Sequence, residues 1–266
     1  IEGQNVSLRS ADELWGLASA ETRDALVKDT GLKGLRTAII GPAAEKLVLF
    51  SCIQNDLVHV YGRNGLGAVM GSKQLKAVAV KGSGKVPVHD SERIQSGNSW
   101  MKENLDDLMG WAKELGTPGS LLAQNMMGGL PTRNFLEGTF KGAERISGET
   151  LHEEFLSGRG TCYACPAKCK QVVHIEGKYS VNPVYGGPEY ETIGAFGSLC
   201  GVDDLAAICK ANELCNALSL DTITTGNVVA FAMELSERDL LPEQLTGGQK
   251  FRFGNADDML ELIELI

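Results

Sequence analysis

Apolar positions along this chain change their spacing near residue 85. Before that point they come in short β-branched or aliphatic runs bounded by glycine, proline and charge. Residues 37–40 (TAII), 47–52 (LVLFSC) and 75–80 (LKAVAV) therefore predict strands. Ahead of them, residues 10–28 predict one or two helices, with Ser10 as N-cap and Glu13 completing a capping box. Residues 81–90 (KGSGKVPVHD) have the chemistry of a linker. Beyond it a helical period takes over at 91–115, stopped by Gly116, Pro118 and Gly119. A shorter helix is expected at 120–127 and an irregular surface loop at 131–142. A strand at 170–175 leads into a turn-rich stretch at 181–187, and helices follow at 203–218, 225–237 and from 257 onward. The pattern predicts an α+β chain, with a β-rich unit over residues 1–84 and a mainly helical unit over 85–266.

Composition narrows the function classes. The 266 residues are 43% hydrophobic and 22% charged, and no apolar run is long enough to cross a bilayer. A formal charge of −9 argues against nucleic acid as the main partner, since phosphate binding needs a basic face. No secretory signal opens the chain, and Ile1 in place of Met suggests an excised segment. Seven cysteines, an odd number with three bunched together, point to a reducing, cytoplasmic interior and away from a disulfide scaffold.

Those three cysteines carry the most chemistry. Cys162, Cys165 and Cys169 stand at C-x2-C-x3-C in RGTCYACPAKCK, a spacing that lets short turns aim successive thiolates at an iron–sulfur cluster. Zinc would call for a second close pair, and His152 and His174 are isolated. The plainer alternative is three structural thiols. The second feature is the stretch YGRNGLGAVMGSK. It fails as a dinucleotide fingerprint, because the glycines are expected to run into a β-rich stretch with no helix between, and it lacks a Walker lysine. Gly62, Gly65, Gly67 and Gly71 still let main-chain groups approach a ligand, with Arg63 offering a planar fork for phosphate or a pterin edge. A glycine-rich turn between strands remains the bland alternative.

Together, GRNGLGAVMGSKQLKAVAV, GLPTRNFLEGTF, CYACPAKCK, GPEYETIGAFGSLCGVDDL and LSLDTITTG resemble, in content and order, the aldehyde:ferredoxin oxidoreductase family. The resemblance implies a tungsten (or molybdenum) bis-pterin beside a [4Fe–4S] cluster, a Mg2+ bridging the pterin phosphates, and oxidation of aldehydes to carboxylic acids with ferredoxin as acceptor. It assigns Cys162, Cys165 and Cys169 to the cluster. Arg63 falls between cluster and pterin, Asn64 (by its carbonyl) and Gly65 in the loop near the magnesium, and Asp221 in a pterin-holding loop. Glu189 or Glu191 is the carboxylate near the metal, with Glu189 slightly favoured. Surface carboxylates and a helix N-cap are the ordinary alternatives for the glutamates and for Asp221. The fourth cluster cysteine, a second pterin loop and an active-site histidine belong to a C-terminal domain not found here, and part of the N-terminal domain is also missing. Cys200, Cys209 and Cys215 are expected in the core. The resemblance leaves room for a homodimer of the full-length protein, and the segment alone is expected to be inactive. Two alternatives remain: a low-potential aromatic acyl-CoA reductase subunit of the same family, and a non-catalytic iron–sulfur or zinc module.

Overall fold

The computed structural model describes residues 1–3 and 5–266. Its first third holds α1 (Ser19–Thr30), β1 (Arg36–Ile39), α2 (Pro42–Glu45), β2 (Ile53–Asn55), β3 (His59–Tyr61), α3 (Leu66–Ser72) and β4 (Ala77–Val80). The four strands form one antiparallel sheet in the order β3-β2-β1-β4, with Thr37 opposite Ala79 and Ala38 opposite Asn55. Ile40, Ala44 and Met70 make a small apolar cluster beneath it, against Ile53 and Val78.

Three sequence expectations fail in this region, each for a local reason. Residues 47–52 are not a strand. Leu47 takes φ 62°, which breaks the extended run, and the chain turns so that the Val48 amide donates to Ala43 O at 3.0 Å. Pairing begins only at β2, whose IQN and the following HVY are too short and polar to register as strands in a sequence pattern. A helix, α3, does follow the glycine stretch. Gly65 opens it with φ 69°, and Gly67 and Gly71 lie inside it for steric reasons. A β-carbon on Gly67 would sit 2.6 Å from Cys52 O, and one on Gly71 would strike Ala44 O. Ser10 and Glu13 cap no α-helix. Ser10 ties to Asp12 at the start of a 3-10 turn, while Glu21 makes the back-reach, accepting from the Ala18 amide at 3.1 Å at the start of α1.

The helical part follows its sequence more closely. In α4 (Ser91–Leu115) the carboxylate of Asp90 accepts from the Arg93 amide at 2.9 Å, and Gly116 closes the helix at φ 67°. A kink at Met109 divides it. After a 3-10 turn at Thr117–Ser120 come α5 (Leu121–Met126), α6 (Gly148–Glu154), the antiparallel hairpin β5 (Leu156–Gly160) and β6 (Lys170–Val173), and α7 (Tyr190–Ile193). A π-helical turn, Gly194–Ser198, leads on to α8 (Leu205–Leu218), α9 (Thr222–Glu237), α10 (Glu243–Thr246) and α11 (Ala256–Glu264). Asp204, Asp221 and Asn255 cap α8, α9 and α11 with their side chains. The core gathers Phe196, Ile208, Cys215, Met233, Phe251 and Ile263. Gly226 of α9 lies so close to Ala195 that a β-carbon there would meet its side chain at 2.6 Å. The 131–142 loop is irregular as expected but not merely superficial: the Arg133 and Asn134 amides donate to Ser198 O and Leu199 O, each at 3.0 Å. Among the described residues no helix is long and apolar enough to cross a membrane.

Two turns join the sheet to the helices. The Cys52 amide donates to Ser219 O at 2.8 Å, the Asp221 amide donates to Phe50 O at 3.1 Å, and Ser51 bridges to Leu220. Elsewhere in the sheet region a buried ion pair does the pinning. Lys76 Nζ pairs with Glu45 and donates to Leu17 O at 2.9 Å, while Glu45 Oε2 accepts from the Gly16 amide at 2.8 Å. Both side chains are almost wholly buried, so removing one partner strands the other charge without solvent. Glu45→Ala is expected to cost about 3–5 kcal/mol in urea unfolding. Glu45→Leu combined with Lys76→Met should recover most of that loss, and a double variant as unstable as the single one would contradict the account.

Candidate functional site

The cysteine loop is the tip of the β5–β6 hairpin. The Cys165 amide donates to Cys162 O at 3.1 Å, and the Thr161 hydroxyl donates to Cys165 O at 2.7 Å, which curls the loop back on itself. Ala164 and Lys168 both take left-handed backbone, φ 55° and 50°, and supply the remaining curvature. All seven cysteines are free thiols. Cys162 is exposed, and Cys165 and Cys169 are half-buried. Cys52, Cys200, Cys209 and Cys215 are buried. Cys200 donates its thiol to Ala195 O at 3.3 Å, a core contact of the kind the sequence suggested. Burial pushes the Cys52 thiol up to about 12 and drives the thiols of Cys200, Cys209 and Cys215 upward as well. Cys169 is raised too, by burial first and then by the carboxylate of Glu189.

A cleft of about 300 Å³ opens beside Cys162, between β3, the root of the hairpin, the turn before α7 and the buried side of α8. Its walls include His59, Lys170, Glu189, Asn212, Leu220 and Thr222. Glu189 is the N-cap residue of α7 and both its oxygens are engaged. Oε1 faces Lys170 Nζ at 3.1 Å, and Oε2 accepts from the Thr117 hydroxyl, which itself accepts from the Tyr190 amide at 3.0 Å. Glu191, two residues on, is exposed and does not line this cleft. His59 lies below its ordinary value because burial and then the Lys170 ammonium disfavour its cation. Three buried polar atoms around the cleft have no hydrogen-bond partner: His59 Nε2, Gln171 Oε1 and Asn212 Nδ2. Such groups cost about 1–3 kcal/mol each when left without a partner, so water or a polar ligand in the cleft would satisfy them.

The glycine loop reaches the same region from the other side of residues 220–222. A β-carbon on Gly62 would lie 3.1 Å from Asp221 Oδ1. Asp221 is therefore an N-cap, as its plainer alternative held, and also a neighbour of the loop. Oδ2 accepts from the Thr224 amide at 2.8 Å and from its hydroxyl at 2.6 Å, while Oδ1 faces Gly62. Gly65 is buried. Arg63 and Asn64 are exposed, Asn64 has φ 82°, and neither side chain makes a hydrogen bond among the described residues. The structure thus gathers Cys162, Glu189 and the Asp221 turn about one cleft, sets Gly62 against Asp221, leaves Arg63 and Asn64 exposed and Gly65 against the Leu49 backbone, and leaves Glu191 outside.

The donor set decides which group fits. Among the described residues no three cysteine, histidine, aspartate or glutamate side chains converge on a point that one ion could occupy. A cube takes each thiolate at a separate iron corner, so three thiols spread along a curled loop suit it. An anionic ligand rich in ring nitrogens suits the neighbouring surface, where a glycine loop, a carboxylate oxygen and unpartnered buried donors and acceptors lie together. Sequence reasoning did not single out Lys170, Thr117 or His59. Lys170 had a signal, since it directly follows the last cysteine; Thr117 is hidden between Gly116 and Pro118 of the helix stop, and His59 lies in a strand too short to register. In the reduced protein, Cys162, Cys165 and Cys169 should alkylate readily, and the other four only on unfolding. Mass mapping of iodoacetamide adducts, with and without denaturant, checks this. Early labelling of Cys200 would contradict the burial described.

Comparison with known proteins supports the family resemblance. The family model described as aldehyde ferredoxin oxidoreductase, N-terminal domain, matches residues 1–82, and the one described as aldehyde ferredoxin oxidoreductase, domains 2 & 3, matches residues 96–266. The tungsten-containing aldehyde ferredoxin oxidoreductase of Thermococcus kodakarensis is 40% identical over all of this chain, and that of Pyrococcus furiosus 37%. The chain spans 44% of the length of each of these relatives. A further Pyrococcus furiosus protein, the WOR-like subunit of an aliphatic sulfonate oxidoreductase, is 30% identical over all of the chain and 45% of its own length. Among solved structures, the active-site complex BamBC of benzoyl coenzyme A reductase, with 1,5-dienoyl-CoA, superposes with a TM-score of 0.77. It covers 99% of this chain and 41% of its own at 23% identity, a likeness of fold. With two family models covering nearly its whole length, this chain belongs to the aldehyde ferredoxin oxidoreductase family.

Proposed function

We propose that this chain supplies the cluster-bearing part of an oxidoreductase that converts aldehydes to carboxylic acids, RCHO + H2O giving RCOOH, two electrons and two protons. The observation that carries this reading is the meeting of the cysteine loop, Glu189 and the Asp221 turn at one cleft. Cys162, Cys165 and Cys169 would hold three corners of a [4Fe–4S] cluster, with a fourth ligand from sequence beyond these residues. Gly62, Gly65 and Asp221 would face a tungsten or molybdenum bis-pterin, Arg63 would lie between pterin and cluster, and the Asn64 carbonyl would help hold Mg2+. Bound there, these groups supply a two-electron oxidant and a path for removing electrons singly.

This chain's own residues do the rest. Glu189, held by Thr117 and Lys170, would take one of the two released protons at its carboxylate. The valines of the cleft wall, Val58, Val60 and Val172, give the hydrocarbon end of an aldehyde an apolar surface. The exposed face of the cysteine loop, with Tyr163 fully exposed, leaves an outlet for electrons toward ferredoxin. Free thiols throughout suit a reducing, anaerobic cytoplasm, and a homodimer of the full-length protein is compatible with this reading.

Iron, tungsten and pterin should all be found in anaerobically purified full-length protein, which should reduce viologen with short aldehydes. Zinc alone would favour the non-catalytic module, and turnover only with an aromatic CoA thioester would favour the acyl-CoA reductase. Glu189→Gln is expected to lower kcat by about 10²–10⁴-fold with the cofactors retained. A Glu191→Gln variant with the larger loss would reassign the carboxylate. The 266-residue piece alone should show no aldehyde-dependent viologen reduction.

A further inference from the structure

We propose that Lys170 and Glu189 form a fixed charge pair that sets the potential of the group held by the adjacent cysteines, with Lys170 as the positioning residue for the carboxylate. This rests on the reading above that those cysteines hold a cluster. Lys170 directly follows Cys169 and opens β6, where pairing opposite Gly160 fixes its backbone. Its ammonium is 3.1 Å from Glu189 Oε1, and the second carboxylate oxygen takes the Thr117 hydroxyl, so neither end of the pair is free to swing. Lys170, Glu189 and Cys162 line one cleft.

The geometry bears on potential for a simple reason. Adding an electron to a cluster makes it more negative, so a neighbouring cation favours the reduced form and a neighbouring anion the oxidised form. At the surface such effects are screened away. Here the side chains are only 21% and 37% exposed, so each charge acts on the cluster with partial screening, and the two oppose each other. Losing the lysine leaves an uncompensated carboxylate in the cleft that Cys162 lines; losing the carboxylate leaves an uncompensated ammonium there. A merely structural contact would not give shifts of opposite sign.

The test uses the anaerobically purified full-length holoprotein, with iron and acid-labile sulfide measured first and the midpoint potential followed by EPR. Lys170→Met is expected to move the cluster potential down, Glu189→Gln to move it up, and Lys170→Arg to leave it near the unaltered value. Potentials that do not move, or that move in the same direction in both neutralising variants, overturn the pair while leaving the cluster in place. If Lys170→Met fails to retain its cluster, the upward shift in Glu189→Gln decides alone, and its absence overturns the proposal. An unaltered protein lacking iron and sulfide overturns the parent reading, and the pair with it.

Discussion

Everything at the cleft depends on a seam of backbone between residues 50–52 and 219–221. The two hydrogen bonds across it, Cys52 N to Ser219 O and Asp221 N to Phe50 O, join the last turn before β2 to the loop between α8 and α9. Side chains cannot intrude at this junction. A β-carbon on Gly67 would meet the Cys52 backbone, and one on Gly41 would lie 2.6 Å from Leu218 O. Glycine at these positions is what lets sheet and helices approach main chain to main chain. Because that approach fixes Asp221 beside Gly62 and brings Leu220 into the cleft that His59 also lines, the glycine loop and the cleft share one frame. Any ligand held by both elements would be held without a flexible linker between them.

The cysteine loop is positioned by different physics. A nine-residue hairpin tip with two left-handed residues has little packing of its own, and its stability comes from the root. There the hairpin is held by neighbours. Gln171 donates to Leu115 O at 2.6 Å, and a β-carbon on Gly116 would press on Cys169 O. The same glycine that ends α4 therefore makes room for the last cysteine. Thr117, next in sequence, reaches Glu189. Helix termination, thiol placement and carboxylate orientation are thus consequences of three consecutive features of one turn.

That coupling explains what the sequence could and could not show. Helices α4, α8 and α9 were legible because their apolar periods run for many residues and their ends carry Asp90, Gly116, Asp204 and Asp221. The sheet was legible only where β-branched residues cluster, as in β1 and β4. At residues 47–52 composition favoured a strand, but positive φ at Leu47 and the seam to α8 overrode it. The glycine stretch misled for the same reason. Its glycines, spaced as in a turn, serve helix-to-backbone contacts that exist only in three dimensions. At the site, the thiols and the glutamate were visible as residue types in short motifs. Lys170, Thr117 and His59 were not, because their roles are set by contacts to elements far along the chain.

The distribution of burial among the cysteines then separates structure from chemistry. A thiol becomes a ligand only as thiolate, and burial in apolar surroundings works against ionisation. Four of the seven cysteines sit where burial holds the proton on sulfur, and they fill space between helices. The three in the hairpin stay at or near the surface, on backbone curled by its own hydrogen bonds, with the Glu189 carboxylate in the cleft that Cys162 lines. Lys170 lies on that same carboxylate. The acid of the cleft is therefore paired with the residue that directly follows the last cysteine. That distribution leaves the hairpin thiols, and not the core ones, open to a ligand.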